Sequence, residues 1–113
     1  MKVLVCGGRN YRDAAHVDRV LQQVCAEGEV TVIIHGAARG ADQLGEAWGQ
    51  RQGIHTEAYP ADWNRFGLSA GPRRNQEMLT KGQPDLVVAF AGGTGTADMV
   101  RRARKAGVRV IEA

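Results

Sequence analysis

Cysteine is scarce in this sequence: Cys6 and Cys25 are the only two. Both fall within apolar patterns, so two buried thiols in a reducing compartment are expected rather than a disulfide. Histidine numbers 3, and no Cys or His stands at a spacing that suits a metal ion. Neither a metal nor a resident cofactor is therefore expected. No apolar run approaches the roughly 20 residues needed to cross a bilayer. The opening stretch Lys2-Val3-Leu4-Val5-Cys6 is too short for the apolar region of a secretory signal, and no small-residue cleavage site follows it. These absences point to a cytoplasmic protein without membrane contact. Linkers, repeats and low-complexity segments are also missing. With 113 residues, the expectation is one domain spanning residues 1–113. The formal charge of +3 is too mild to argue for nucleic-acid binding on its own.

Glycine and arginine are what the chain has in plenty. The 15 glycines are well above the usual share of about 7%. Arginines greatly outnumber the lysines Lys2, Lys81 and Lys105, and arginine is the side chain suited to bidentate phosphate contacts. For most positions a coding bias toward arginine explains the excess better, so the placement of these residues carries the argument.

Hydrophobic patterning predicts strict alternation of strands and helices. Val3-Leu4-Val5-Cys6 reads as a buried strand ending at Gly7-Gly8. Asp13 suits the cap of a helix carrying Val17, Val20, Leu21 and Val24 inward, closed by Gly28. Val30 to Ile34 is β-branched and reads as the second strand. A helix from about Gly40 to Gly53 follows, with Ala41, Leu44, Ala47 and Trp48 on its inner face. Ile54 to Tyr59 is a weaker third strand. Pro60 to Gly71 reads as irregular, and Pro72 suits the first turn of a short helix running to about Lys81. Leu86 to Phe90 is the fourth strand. The last helix turns Met99, Val100 and Ala103 inward and Arg101, Arg102, Arg104 and Lys105 outward. Val108 to Ile111 completes the set. Such alternation specifies an α/β, Rossmann-like three-layer αβα fold with a five-stranded parallel sheet in the order 3-2-1-4-5. Strands 1 and 4 are then neighbours at the topological switch point, where open α/β sheets bind ligands.

Three loops are predicted to meet there. Gly92-Gly93-Thr94-Gly95-Thr96 joins a strand to a helix, so free N–H groups and the helix dipole can hold an anion while Thr94 and Thr96 add hydroxyls. The alternative is a tight turn with a threonine cap, which the switch-point placement disfavours. Gly7-Gly8-Arg9 lies opposite. Gly36-Ala37-Ala38-Arg39-Gly40-Ala41-Asp42 is a second small-residue loop in which Arg39 or Asp42 holds a ligand, or Asp42 merely serves the helix dipole. Gly71-Pro72-Arg73-Arg74-Asn75 places Arg73 and Arg74 on a first helical turn, against the dipole, as an anion site would demand. Arg74 is the stronger candidate of the pair. Trp63 and Phe66 either stack on a base or pack their loop onto the domain. No Gly-x-Gly-x-x-Gly follows the first strand, and the second ends in His35 rather than an acid, which argues against an ordinary dinucleotide dehydrogenase. No Lys-Ser/Thr follows a glycine loop, which argues against a P-loop NTPase.

Taken together, Gly7-Gly8-Arg9-Asn10-Tyr11-Arg12-Asp13, the Gly36–Asp42 loop, Trp63 through Gly71-Pro72-Arg73-Arg74-Asn75, and Gly92 to Asp98 resemble the YspA, cpYpsA-related branch of the SLOG superfamily. The resemblance spans nearly the whole chain. It implies a Rossmann-like fold, small bacterial and phage relatives, and nucleotide-derived ligands. The superfamily also includes the cytokinin-activating phosphoribohydrolases, the lysine decarboxylase-like family. Their glycine hallmark is similar to Gly92–Thr96, with a catalytic glutamate at the position of Asp98 and a catalytic arginine at that of Arg74. The shorter aspartate, and Ala91 where those enzymes have proline, depart from their pattern.

The expected function is binding of a nucleotide or other phosphorylated ribose compound, for sensing or sequestration. The site is then Gly7, Gly8, Arg9, Gly36, Ala37, Arg39, Asp42, Arg73, Asn75, Gly92, Gly93, Thr94, Gly95 and Thr96. The alternative is an N-glycosidic hydrolase of nucleoside 5′-monophosphates. There Asp98 would stabilise the oxocarbenium-like ribose and Arg74 would hold the phosphate. A DNA-binding module using the basic face of the last helix ranks third, and nucleic acid is not the expected partner. A homodimer is expected, because relatives of this fold pair through helices and so small a domain buries limited surface alone.

Overall fold

The computed structural model describes residues 1–113. Strands β1 (Lys2–Cys6), β2 (Val32–His35), β3 (His55–Ala58), β4 (Leu86–Ala89) and β5 (Arg109–Glu112) form one parallel sheet. Its order is β3-β2-β1-β4-β5, as expected. β1 and β4 sit in the middle, covered on both faces, which is why Val3–Cys6 and Leu86–Ala89 are uniformly apolar. The edge strands β3 and β5 carry His55, Glu57, Arg109 and Glu112 and are part exposed.

Alternation along β1 divides the core into two halves. Val3 and Val5 pack with Val17, Leu21, Ile33, Trp48 and Phe90 beneath α1 (Ala14–Glu27) and α2 (Ala41–Arg51). Leu4 and Cys6 pack on the other face with Ile34, Met78, Val87, Met99 and Ala103. α4 (Ala70–Glu77) and α5 (Thr94–Lys105) cover that face. Asp13 caps α1, accepting the His16 N–H at 3.0 Å, and Trp48 is fully buried.

Two expectations fail. Cys25 is exposed and only Cys6 is buried, because Cys25 follows the inward Val24 and turns to the solvent side of α1. Pro60 to Gly71 is not irregular. Asp62 accepts the Arg65 N–H at 3.1 Å and caps α3 (Trp63–Phe66). A 3₁₀ turn, Gly67–Ser69, leads directly into α4, and a π turn, Met78–Gly82, extends it. The buried stripe is narrow: Ala70, Gly71, Asn75, Met78 and Leu79. So polar a helix leaves almost no apolar period in the sequence. The helical run begins at Gly67 and continues through Gly82, so Arg73 and Arg74 lie near its middle, not on a first turn, and do not oppose the helix dipole as the sequence led one to expect.

Candidate functional site

Backbone hydrogen bonds tie together the loops at the carboxyl edge of the sheet. Gly8 N–H donates to the Ala91 carbonyl at 2.9 Å, joining the loop after β1 to the loop after β4. The Gly8 carbonyl accepts N–H groups from Tyr11 and from Ala41, the first residue of α2, both at 3.2 Å. Gly40 makes this possible: its φ is +78°, and a Cβ there would collide with the Gly8 carbonyl oxygen. Over these loops opens a cleft of about 740 Å³. Its floor and one end are formed by Gly7, Gly8, Arg9, Asp42 and the turn Gly93–Thr96. Trp63, Leu68, Pro72, Arg74, Asn75 and Met78 form the wall.

The start of α5 is open. Gly93 is its N-cap and supplies no side-chain hydrogen bond, so no threonine or other side chain caps the helix. The first helical bond runs from Ala97 N–H to the Gly93 carbonyl at 3.1 Å. The N–H groups of Thr94, Gly95 and Thr96 thus have no partner within the helix, and no acid stands in its first turn. Nothing lies within 4 Å of where a Cβ on Gly93 or Gly95 would be, and neither residue has a positive φ. Gly92, by contrast, is required by the fold, since a Cβ would strike the Thr96 hydroxyl and the loop after β1.

The loop after β2 has spent its donors. Asp42 Oδ2 accepts from Gly36 N–H at 3.1 Å and Ala38 N–H at 3.2 Å. His35 Nδ1 accepts from Ala37 N–H at 3.0 Å, which leaves the ring proton on Nε2, facing Glu46 Oε1 at 3.3 Å. Burial pushes the Asp42 carboxyl above its ordinary pKa. The hydrogen bond from Ala38, the charge of Arg74, the neighbouring His35 ring and the bond from Gly36 oppose that rise.

Arg74 leans from α4 across Gly36, donating to the Gly36 carbonyl and, through Nε, to Asn75 Oδ1 at 3.0 Å. Half-buried, it has its pKa lowered by desolvation; Asp42 counters this, and the nearby charge of Arg9 adds to it. Asn75 Nδ2 donates to Asp98 Oδ2 at 3.0 Å and to the Gly95 carbonyl at 3.2 Å, tying α4 to α5. Asp98 also accepts from Arg101 at 2.6 Å and Arg102 at 2.9 Å. Burial acts to raise the Asp98 pKa, but the Asn75 and Arg102 hydrogen bonds and the two arginine charges outweigh it and hold the carboxyl below the usual range. Cys6 also touches the cleft, but burial, aided by the Asp42 charge and opposed by Arg74, pushes its thiol up to about 12. It stays protonated and is no nucleophile.

Of the residues expected at the site, Gly7, Gly8, Arg9, Asp42, Arg74, Asn75, Gly93, Thr94, Gly95, Thr96 and Asp98 line this cleft. Gly36, Ala37, Arg39, Arg73 and Gly92 do not line it. Gly36 is buried beneath Arg74, while Arg39 is exposed. Arg73 stacks on Phe66 at 4.4 Å and bonds Ser69 Oγ. Sequence reasoning missed Leu68, Met78 and Arg101 among the lining residues. Met78 lies four residues beyond Arg74 and Arg101 three beyond Asp98, so helical spacing from the candidates already chosen would have found both.

An open parallel sheet in this strand order, with helices on both faces, defines the Rossmann-like α/β class. Similarity narrows this further. Residues 1–66 match the YspA, cpYpsA-related SLOG family, and the chain belongs to that family. It is also 38% identical to the Gene 61 protein of Mycobacterium phage D29, over 97% of this chain and 94% of that protein. Among solved structures it resembles DNA processing protein A (DprA) from Streptococcus pneumoniae, with a TM-score of 0.60 and 19% identity. The match covers 97% of this chain but 58% of that one, and it speaks to the fold alone. No helix is long and apolar enough to cross a membrane.

Proposed function

We propose that the cleft binds a nucleotide or a related phosphorylated ribose compound, for sensing or sequestration. The observation that carries this reading is the first turn of α5. Its N–H groups are uncapped, and Gly93 and Gly95 are glycines that neither φ nor packing requires. A ligand phosphate resting on those amides accounts for both facts. Arg9 and Arg74 add positive charge at the same cleft, and neither has a carboxylate within ion-pair distance, whereas Arg101, which also lines it, is paired with Asp98. Titration calorimetry with AMP and with ADP-ribose, each with and without a chelator, tests the proposal. Binding unaffected by the chelator is expected, and absence of heat with both ligands would refute it.

The hydrolase reading rests on Asp98, which is ionised and reaches the cleft. Both of its oxygens are already engaged by Asn75, Arg101 and Arg102, which leaves it poorly placed to position water. We therefore favour binding without turnover. The DNA-binding reading, which the name of the DprA neighbour revives, gains little from α5. Arg101 and Arg102 are paired with Asp98, and Arg104 with Glu112 at 2.9 Å.

A further inference from the structure

Trp63 is 43% exposed on the cleft wall, and Leu68, five residues further on, is 94% exposed and lines the same cleft. Large apolar side chains left open at a cleft mouth are features a ligand can cover. The indole lies close against α4 at Gly71, where a Cβ would stand 3.2 Å from Trp63 Cη2. Arg9 approaches from the opposite side of the cleft, its guanidinium 5.2 Å from the Trp63 ring. That guanidinium has no carboxylate partner, and its charge reaches Arg74. Two guanidinium groups therefore converge at the cleft, and Arg9, the one with no carboxylate beside it, is parked on an aromatic ring.

Resting on the reading that the cleft takes a phosphorylated ribose, we propose that Trp63 is the stacking platform for the ligand's base and Arg9 its placeholder. When the base arrives it displaces the guanidinium from the indole, and Arg9 swings to the ligand phosphate. The exchange is chemically balanced in both states: the indole always has a flat partner, and Arg9 loses a cation–π contact as it gains a charge-assisted hydrogen bond. The ligand class is then narrowed to nucleotides that retain an aromatic base. Purines are favoured over pyrimidines because they offer more stacking area.

Two tryptophans make this measurable. Trp48 is buried in the core and Trp63 is on the cleft wall, so acrylamide quenching and the red side of the emission report mainly Trp63. AMP should protect Trp63 from acrylamide, whereas ribose 5-phosphate should bind without protecting it. Trp63→Leu should weaken AMP roughly tenfold or more while leaving ribose 5-phosphate nearly unchanged. Arg9→Ala should raise acrylamide access to Trp63 in the free protein and weaken both ligands by about tenfold. The proposal is overturned if AMP binds without altering Trp63, or if Arg9→Ala binds ribose 5-phosphate as tightly as the native protein. If instead neither AMP nor ribose 5-phosphate binds the native chain, the phosphate site itself fails, and this inference falls with it.

Discussion

Replacing Gly95 by alanine pits the free protein against its ligand complex. Gly95 is the second residue of α5, with no positive φ and nothing within 4 Å of a would-be Cβ. In the free protein the methyl group therefore costs nothing sterically and restricts the unfolded chain. Stabilisation of about 0.4–1 kcal/mol is expected. For a domain of this size that raises the melting temperature by about 2–5 °C. The same methyl projects from the turn on which a phosphate would rest. An oxygen bonded to the Thr94–Thr96 amides would sit about 2.9 Å from nitrogen and would meet the new carbon. Affinity for AMP should fall at least about tenfold, or some 1.4 kcal/mol. Thermal melts and calorimetry on the same preparation give both signs. An alanine variant that is more stable and binds as well as the native protein would refute the claim that Gly95 is open for a ligand. A variant that is less stable would show that the fold, after all, requires glycine there.

Arg74→Ala should weaken nucleotide binding by roughly tenfold to a hundredfold, the usual loss for one charge-assisted contact of about 1.5–3 kcal/mol; unchanged affinity in calorimetry would remove Arg74 from the site. The Asp98 carboxyl is held below its unfolded value, so its stabilisation is present above about pH 4 and is lost as pH falls through the lower folded value. Asp98→Asn should therefore cost about 1–3 kcal/mol near neutral pH, and the difference from the native protein should shrink in acid, as read by denaturant melts across that range. Mass spectrometry of nucleoside monophosphates incubated with the native protein should detect no free base above background; base release that disappears in Asp98→Asn would reverse the preference for binding over hydrolysis. Sedimentation at micromolar concentration should show a homodimer, and a monomer alone would exclude it.

The sheet was legible because its central strands are buried on both faces and their apolar runs stop at glycines. Cys6 to Gly8 and Ala89 to Gly93 announce two strand ends, and the order of strands then follows from crossover handedness. The wall of the cleft was not legible in the same way. Asp62, three residues before Arg65, is a capping signal that was available, but the segment after it has no apolar period and reads as a loop. Missing the true start of the helical run at Gly67 in turn misplaced Arg73 and Arg74 on a first turn. Arg74 still reaches the cleft, for a different reason: it bridges to the Gly36 carbonyl across the sheet edge. The Gly36–Asp42 loop shows the opposite limit. Its small residues look ready for a phosphate, yet Asp42 and His35 consume the amides of Gly36, Ala37 and Ala38, a pairing no local pattern reveals.

The bond from Gly8 to Ala91 has a consequence for how such a site can change. It joins main chain to main chain, so it survives nearly any exchange of side chains that keeps the glycines. The opposite wall, residues 62–78, is held by particular side chains: Asp62 at its cap, Arg74 on Gly36, Asn75 on Asp98. The site is thus a fixed socket with a replaceable faceplate. Exchanges within residues 62–72, with Arg74 and Asn75 kept, would then reshape that wall while the main-chain socket stays as it is.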